Sequence, residues 1–353
     1  MSDLKNNLFY YATKELSQDA FICWLSSYAL DGADNTDSEL VRCAYKLVCE
    51  FMKKGLGDSI DCDKTCLKEV RKQFENIDVL LTVEYDDEVY KIIIEDKIHS
   101  SEHDDQLQRY KDKFENTDVH VIGIYFKTGF QSNLSVVNKA GYKVFNRNDV
   151  LNLLKDCKSE NAILKNYREY WEDFERIVQS YKSLPLCEWP DWQAVNGFYD
   201  EMQSHLEKSG FWAGYDYVSN PSGGFWGLWY GKDDAIIVQG EVKASVYLQI
   251  ETSWNYDTSQ YDFRICTKLE NKTNNKGDED IAELKARIVD IQNEYGFERP
   301  SHLRAGTYMT VGVYSGVDPT STYEKFKSTV MESAEQYMKL VMRIREEINY
   351  REG

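Results

Sequence analysis

The sequence predicts an α/β fold, a mixed central sheet flanked by helices, followed by a second domain of α+β character. Three observations lead there. Two amphipathic helical stretches open the chain. β-rich segments between residues 66 and 126 follow, broken by one polar helical stretch. After two of the five prolines, Pro185 and Pro190, the composition turns to Gly- and Trp-rich strands.

Residues 14–30 place Leu16, Ala20, Phe21, Trp24, Leu25 and Tyr28 at helical spacing, and residues 37–54 do the same with Leu40, Ala44, Leu47, Val48 and Phe51. Asp37 or Ser38 can cap the second helix, and Gly55 and Gly57 end it. Cys66 to Gln73, Ile77 to Tyr85 and Val89 to Ile98 read as strands. A polar helix at 101–116 comes next, then an apolar strand from Val119 to Phe126, a short strand from Tyr142 to Phe145, and helices at 147–155 and 160–182.

The predicted domains are therefore residues 1–182 and 192–353, joined by a linker at 183–191. In the second, a helix near 192–207 precedes strands at Phe225 to Tyr230, Ala235 to Val238, Ser245 to Glu251 and Tyr261 to Lys268. A charged helix near 277–296, a strand from Tyr308 to Tyr314 and a helix at 320–349 complete it. Trp212, Tyr215, Tyr217, Phe225, Trp226, Trp229 and Tyr230 could stack bases, but alternating strand aromatics more often form a core.

Composition narrows the function. At 353 residues with 42% apolar and 14% aromatic content, the chain reads as globular, without a membrane-length apolar run or a signal-peptide pattern. The eight scattered cysteines suggest reduced thiols in a cytoplasmic protein, and Cys62 and Cys66 lack a second metal-spaced pair. His99 and His103 alone among the histidines have an i, i+4 spacing, and a solvated loop explains them more simply. The net charge of −18, with no basic run longer than two residues, excludes broad coating of nucleic acid. Any phosphate contact must be local and helped by cations.

The chemistry concentrates between Asn76 and Lys97. This stretch reads as a hairpin turning at Asp86-Asp87. A two-residue turn sets Tyr85 opposite Glu88, Val83 opposite Tyr90 and Asp78 opposite Glu95, with those Cβ atoms roughly 4.5–5.5 Å apart. Lys97, two residues past Glu95, shares its face, and the Asp96 backbone carbonyl lies alongside. Adjacent carboxylates repel, and a divalent cation resolves that conflict. Asp78, Glu95 and the Asp96 carbonyl are thus candidate ligands for Mg²⁺ or Mn²⁺, with Lys97 as a fixed positive charge near a reacting phosphate. Glu241-Val242-Lys243 repeats the E-x-K spacing. Pairing through a turn at Lys232-Asp233 places Gly224, not an acid, opposite Glu241, so the second triplet is discounted.

Residues 1–182 resemble the PD-(D/E)XK nuclease superfamily, which carries an Asp near the start of one core strand and (Asp/Glu)-x-Lys at the end of the next. Here these are Asp78 and Glu95-Asp96-Lys97, with Ile77 where the motif name has Pro. Gln106 to Tyr110 matches the Q-x-x-x-Y pattern of the RecB-like branch, and the two residues share a helical face. Tyr11 to Phe21 resembles the opening helix of uncharacterised bacterial and phage members, in which an acid at the position of Glu15 can reach the metal.

The resemblance implies a restriction-endonuclease-like core and hydrolysis of phosphodiesters by a metal-activated water. It makes Asp78, Glu95, Lys97 and Gln106 catalytic and assigns Gln106 and Tyr110 to substrate binding. DNA is the favoured partner, in prokaryotic defence, including phage defence, or a mobile element. Endonuclease action and homo-oligomer formation are open. An RNA-cleaving nuclease, or an acidic binding protein with a decayed site, are the alternatives.

Overall fold

The five β-rich segments of the first part assemble in chain order. β1 (Thr65–Phe74), β2 (Ile77–Tyr85) and β3 (Glu88–Lys97) run antiparallel, and β4 (His120–Lys127) and β5 (Lys143–Asn146) add in parallel to β3 and to each other. The sheet is mixed, as expected. It belongs to the first of two compact units, residues 1–175 and 176–353, of a computed structural model that describes residues 6–33, 36–102, 105–220, 223–232, 234–238, 240–273 and 275–352, side chains ending at 348.

Helices cover both faces of this sheet, which is why its central strands read as nearly continuous apolar runs. α1 (Glu15–Ser27) and α2 (Ser38–Leu56) pack on the face carrying Val79, Leu81, Ile92 and Ile94. The opposite face carries Leu80, Ile93 and Tyr125, which cluster with Leu107 and Tyr110 of α3 (Gln106–Asp112) and Val137 of α4 (Ser135–Lys139). The triple Ile92-Ile93-Ile94 is fully buried, each side chain contributing roughly 1.5–3 kcal/mol. α5 (Arg147–Lys155) and α6 (Ala162–Val178) follow. Asp37 caps α2 by accepting from the Leu40 amide at 2.9 Å, and Gly57 terminates it.

Two expectations fail in the first unit. Leu16 is 54% exposed, whereas Gln18 and Asp19 are buried with Phe21, Ile22 and Leu25. The buried face of α1 is rotated because its polar residues meet a buried acid of the sheet. The eight cysteines are also not all thiols. Cys43 is bonded to Cys157, a remote return of the chain, and Cys49 to Cys62, just beyond the end of α2. Cys23, Cys66, Cys187 and Cys266 are free.

The second unit is an antiparallel sheet ordered β11-β12-β10-β9-β7-β6, with β8 also paired to β9. Its strands are β6 (Trp212–Val218), β7 (Phe225–Gly231), β8 (Ala235–Val238), β9 (Glu241–Asn255), β10 (Gln260–Asn271), β11 (Phe297–Glu298) and β12 (Tyr308–Tyr314), and its helices α7 (Trp192–Lys208), α8 (Glu279–Ile291) and α9 (Tyr323–Glu352). β6 and β11 were not anticipated as strands. The register proposed for the second E-x-K is wrong. β7 pairs β9 with Leu228 opposite Ile250, so Gly224 does not face Glu241. Glu241 instead faces Val238 of β8. The intervening Asp233 lies outside the described residues, and so does His103. Tyr215 and Tyr230 are core, while Trp212 and Tyr217 are exposed. No helix among the described residues is long and apolar enough to cross a membrane.

The β2–β3 connection is a two-residue turn with Asp86 at φ 50° and Asp87 at φ 63°, the left-handed pair that matches hairpin twist. Both residues are exposed. Replacing Asp87 with Val, a β-branched residue that resists positive φ, should cost about 1–2 kcal/mol in urea unfolding without loss of any packing contact.

Candidate active site

The hairpin register runs as the turn dictates. Tyr85 pairs with Glu88, Val83 with Tyr90 and Val79 with Ile94. One step further, the Asp78 and Glu95 side chains meet within hydrogen-bonding reach. The Asp96 amide donates to Asp78 Oδ2 at 2.9 Å, fixing that carboxylate at the strand edge. Lys97 Nζ is ion-paired with Glu95 Oε1 and lies 4.0 Å from Asp78 Oδ2. It also donates to the Asp96 carbonyl at 3.3 Å. Asp78, Glu95 and Lys97 therefore converge on one sheet face. Glu95 is fully buried and Asp78 is 24% exposed by side chain, so the cluster opens to solvent on the Asp78 side.

α3 brings in two more expected residues. Gln106 Nε2 donates to Glu95 Oε1 at 2.8 Å and to the Tyr110 hydroxyl at 2.7 Å. Tyr110 in turn donates to the Asn76 carbonyl at 2.5 Å, so the i, i+4 pair anchors α3 to the start of the hairpin. Beside Glu95 in the β3–β4 ladder stands Tyr125, whose hydroxyl is bonded to Glu102 and Gln131 at 3.0 and 2.8 Å.

Charge in this cluster is costly and unevenly settled. Burial pushes the Glu95 carboxyl up to about 8, repulsion from Asp78 adds to it, and Lys97 opposes it. Burial likewise raises Asp78 against the pull of the Asp96 amide and Lys97. For Lys97, burial favours the neutral amine, but Glu95, Asp78 and Glu15 together hold its pKa above the ordinary value. Glu95 Oε2 is buried and has no hydrogen-bond partner. Once ionised, a carboxylate with such an orphaned oxygen is expensive unless something positive meets it.

The other face of β3 holds residues that sequence reasoning missed. Asp96 is fully buried and accepts from Gln18 Nε2 at 2.5 Å. Gln18 is held by the Tyr167 hydroxyl at 3.0 Å and by Thr128. Asp19, one turn beyond Glu15, is raised to about 7 by burial and by Asp78. No local signal marks Gln18 and Asp19, because the partner that buries them, Asp96, is remote in sequence. The structure does not place the Glu15 carboxylate on the triad itself. Its Oε1 accepts from the Ile98 amide at 3.0 Å and from Ser100 Oγ at 2.6 Å. Burial would raise Glu15, but those bonds and Lys97 hold it below the usual range. Lys127, beside Lys97 in the ladder, is buried, and burial drives its ammonium down to about 8.

Among the described residues no group of three His, Cys, Asp or Glu side chains is disposed as a metal cage. Mg²⁺ does not need one, since it takes one or two carboxylates and fills the rest of its shell with water and phosphate oxygens. The partnerless Glu95 oxygen next to the partly exposed Asp78 fits that chemistry.

A mixed five-stranded sheet with an acid pair and a lysine at the ends of adjacent strands defines an α/β domain of the restriction-endonuclease-like class. Residues 7–181 match the family model of the PD-(D/E)XK nuclease superfamily, and through this segment the chain belongs to that superfamily. No curated protein and no solved structure matches the chain.

The raised Glu95 pKa has a signed consequence. Between the unfolded carboxylate value and about 8 the folded protein binds one more proton at Glu95 than the unfolded chain, so this group withdraws stability as pH rises. In chelator, Glu95→Gln should gain on the wild type by about 1 kcal/mol per pH unit from pH 5 to 8, read by urea unfolding at each pH. A difference independent of pH would show that Glu95 is ionised throughout.

Proposed function

We propose that the chain is a divalent-metal-dependent nuclease that hydrolyses phosphodiester bonds, with DNA as its substrate. The supporting observation is the convergence of Asp78, Glu95 and Lys97 on one face, in a segment of the PD-(D/E)XK superfamily. Asp78, Glu95 and the Asp96 carbonyl are the proposed ligands of Mg²⁺ or Mn²⁺, and Glu15 a further candidate from the strand edge. A bound divalent ion supplies Lewis-acid charge and lowers the pKa of water.

The chain's own residues do the positioning. Lys97 stands where its ammonium can meet negative charge building on the phosphate oxygens, in a pocket dry enough to make that interaction strong. Gln106 commits its amide nitrogen to Glu95 and Tyr110, which fixes the Glu95 rotamer and leaves its amide oxygen for a water or a substrate hydroxyl. Water adds to phosphorus, the ester P–O bond breaks, and the departing oxygen takes up a proton. The second unit is proposed to select substrate, sense a signal or mediate self-association, and prokaryotic defence or a mobile element is the proposed setting.

Linear, circular and single-stranded DNA and RNA, incubated with Mg²⁺ or Mn²⁺, test this directly. Glu95→Ala and Lys97→Ala should each lower cleavage by at least about a hundredfold with unchanged far-UV circular dichroism. Gln106→Ala, which loosens Glu95 and removes that amide oxygen, should cost about tenfold. Full activity in the Glu95 or Lys97 variant would overturn the assignment, and preferential cleavage of RNA would replace DNA as the substrate.

A further inference from the structure

The chain leaving the Glu95-Asp96-Lys97 strand forms a short strap, Ile98-His99-Ser100, whose polar groups are divided between two charged side chains. Its acceptors go to a cation: Lys127 Nζ donates to the Ile98 carbonyl at 3.1 Å and to the Ser100 carbonyl at 2.6 Å. Its donors go to an anion: Glu15 Oε1 takes the Ile98 amide and the Ser100 hydroxyl. The strap also runs hard against the chain after β4. A side chain at Gly129 would have its Cβ 1.8 Å from the Ile98 carbonyl oxygen, so only glycine permits this approach. The Thr128 amide closes the contact by donating to the Lys97 carbonyl at 3.3 Å.

Lys127 is 4% exposed and, among the described residues, forms no ion pair. An ammonium hydrogen-bonded only to carbonyls is costly to bury, even with Glu15 and Asp96 attracting it. What the ammonium does uniquely is draw the two strap carbonyls together.

We propose that Lys127 is a positioning residue that, with Glu15, clamps the 98–100 strap and so holds the Glu15 carboxylate and the Lys97 end of β3 in place at the metal-binding edge. The proposal rests on the nuclease reading for its consequence, but the clamp itself is a property of the free protein. It separates Lys127 from Lys97: Lys97 faces the reacting phosphate, while Lys127 acts on the strap.

The experiment compares wild type, Lys127→Met and Gly129→Ala in two readouts. Amide hydrogen exchange of the metal-free proteins should be faster at Ile98, His99 and Ser100 in both variants, by tenfold or more, with β2 and β3 protection retained. In cleavage assays the Mn²⁺ concentration for half-maximal rate should rise about tenfold in Lys127→Met, the scale typical of groups that orient metal ligands. The sign is decisive, because deleting a nearby positive charge without loosening Glu15 would favour cation binding and lower that concentration. Unchanged strap exchange, or an unchanged or lowered Mn²⁺ requirement in a cleaving protein, overturns the clamp. Should the wild type cleave nothing, the nuclease reading falls and hydrogen exchange alone decides the clamp. If Lys127→Met does not fold, Ser100→Ala, which removes one Glu15 bond at the surface end of the strap, takes its place with the same expectations.

Discussion

The left-handed pair Asp86-Asp87 fixes which side chains can meet in the first unit. With two residues at positive φ the hairpin closes without an unpaired residue, and the β2–β3 ladder then runs unshifted from Tyr85–Glu88 to Val79–Ile94. The side-chain repeat of a strand is two residues, so a slip by one would move Glu95 and Lys97 to the α1 face and bring Asp96 to Asp78. The apolar pattern resists that slip, because Ile93 would have to leave the face it shares with Leu80. Turn chemistry and core packing agree on one register, and the acid pair follows from both.

That register concentrates charge in a place that does not favour it. Glu95 and Asp96 are consecutive, both fully buried, and point to opposite faces. The protein meets the two problems differently. Lys97 and Gln106 attend to Glu95 and leave one of its oxygens partnerless, whereas Asp96 is held by Gln18, itself anchored by Tyr167 and Thr128. One face is set up to receive something positive. The other is neutralised from within, where burial and the neighbouring Asp19 press Asp96 toward protonation.

The strands and the site geometry were legible because both rest on local rules. Ile77–Tyr85 is a strand with the bounds its β-rich composition indicated, and turn residues alone were enough to pair Val83 with Tyr90. Gln106 and Tyr110 could be placed on one face from their spacing. What escaped was whatever depended on distant segments meeting. Gln18 and Asp19 looked like the wet side of α1 because their partner Asp96 is remote in sequence. Cys43 and Cys157 are far apart along the chain and give no local sign of pairing. The turn before β9 was misjudged because β8, a four-residue strand, intervenes and takes the pairing that β7 was expected to make with Glu241. Lys127 lies just past the apolar run Val119 to Phe126, and nothing local marks it.

The buried polar stripe on α1 also bears on how this sequence can change. A helix packed on a sheet ordinarily tolerates exchange among apolar residues of similar volume. Here Gln18 cannot drift that way alone. A leucine in its place would fill the space yet strand the Asp96 carboxylate, and through the amide that Asp96 lends to Asp78 the disturbance would cross to the far side of the strand. An acid that must sit beside the reactive pair thus ties the composition of a core helix to the chemistry on the opposite surface. The interior of this domain is less free to vary than its burial pattern suggests.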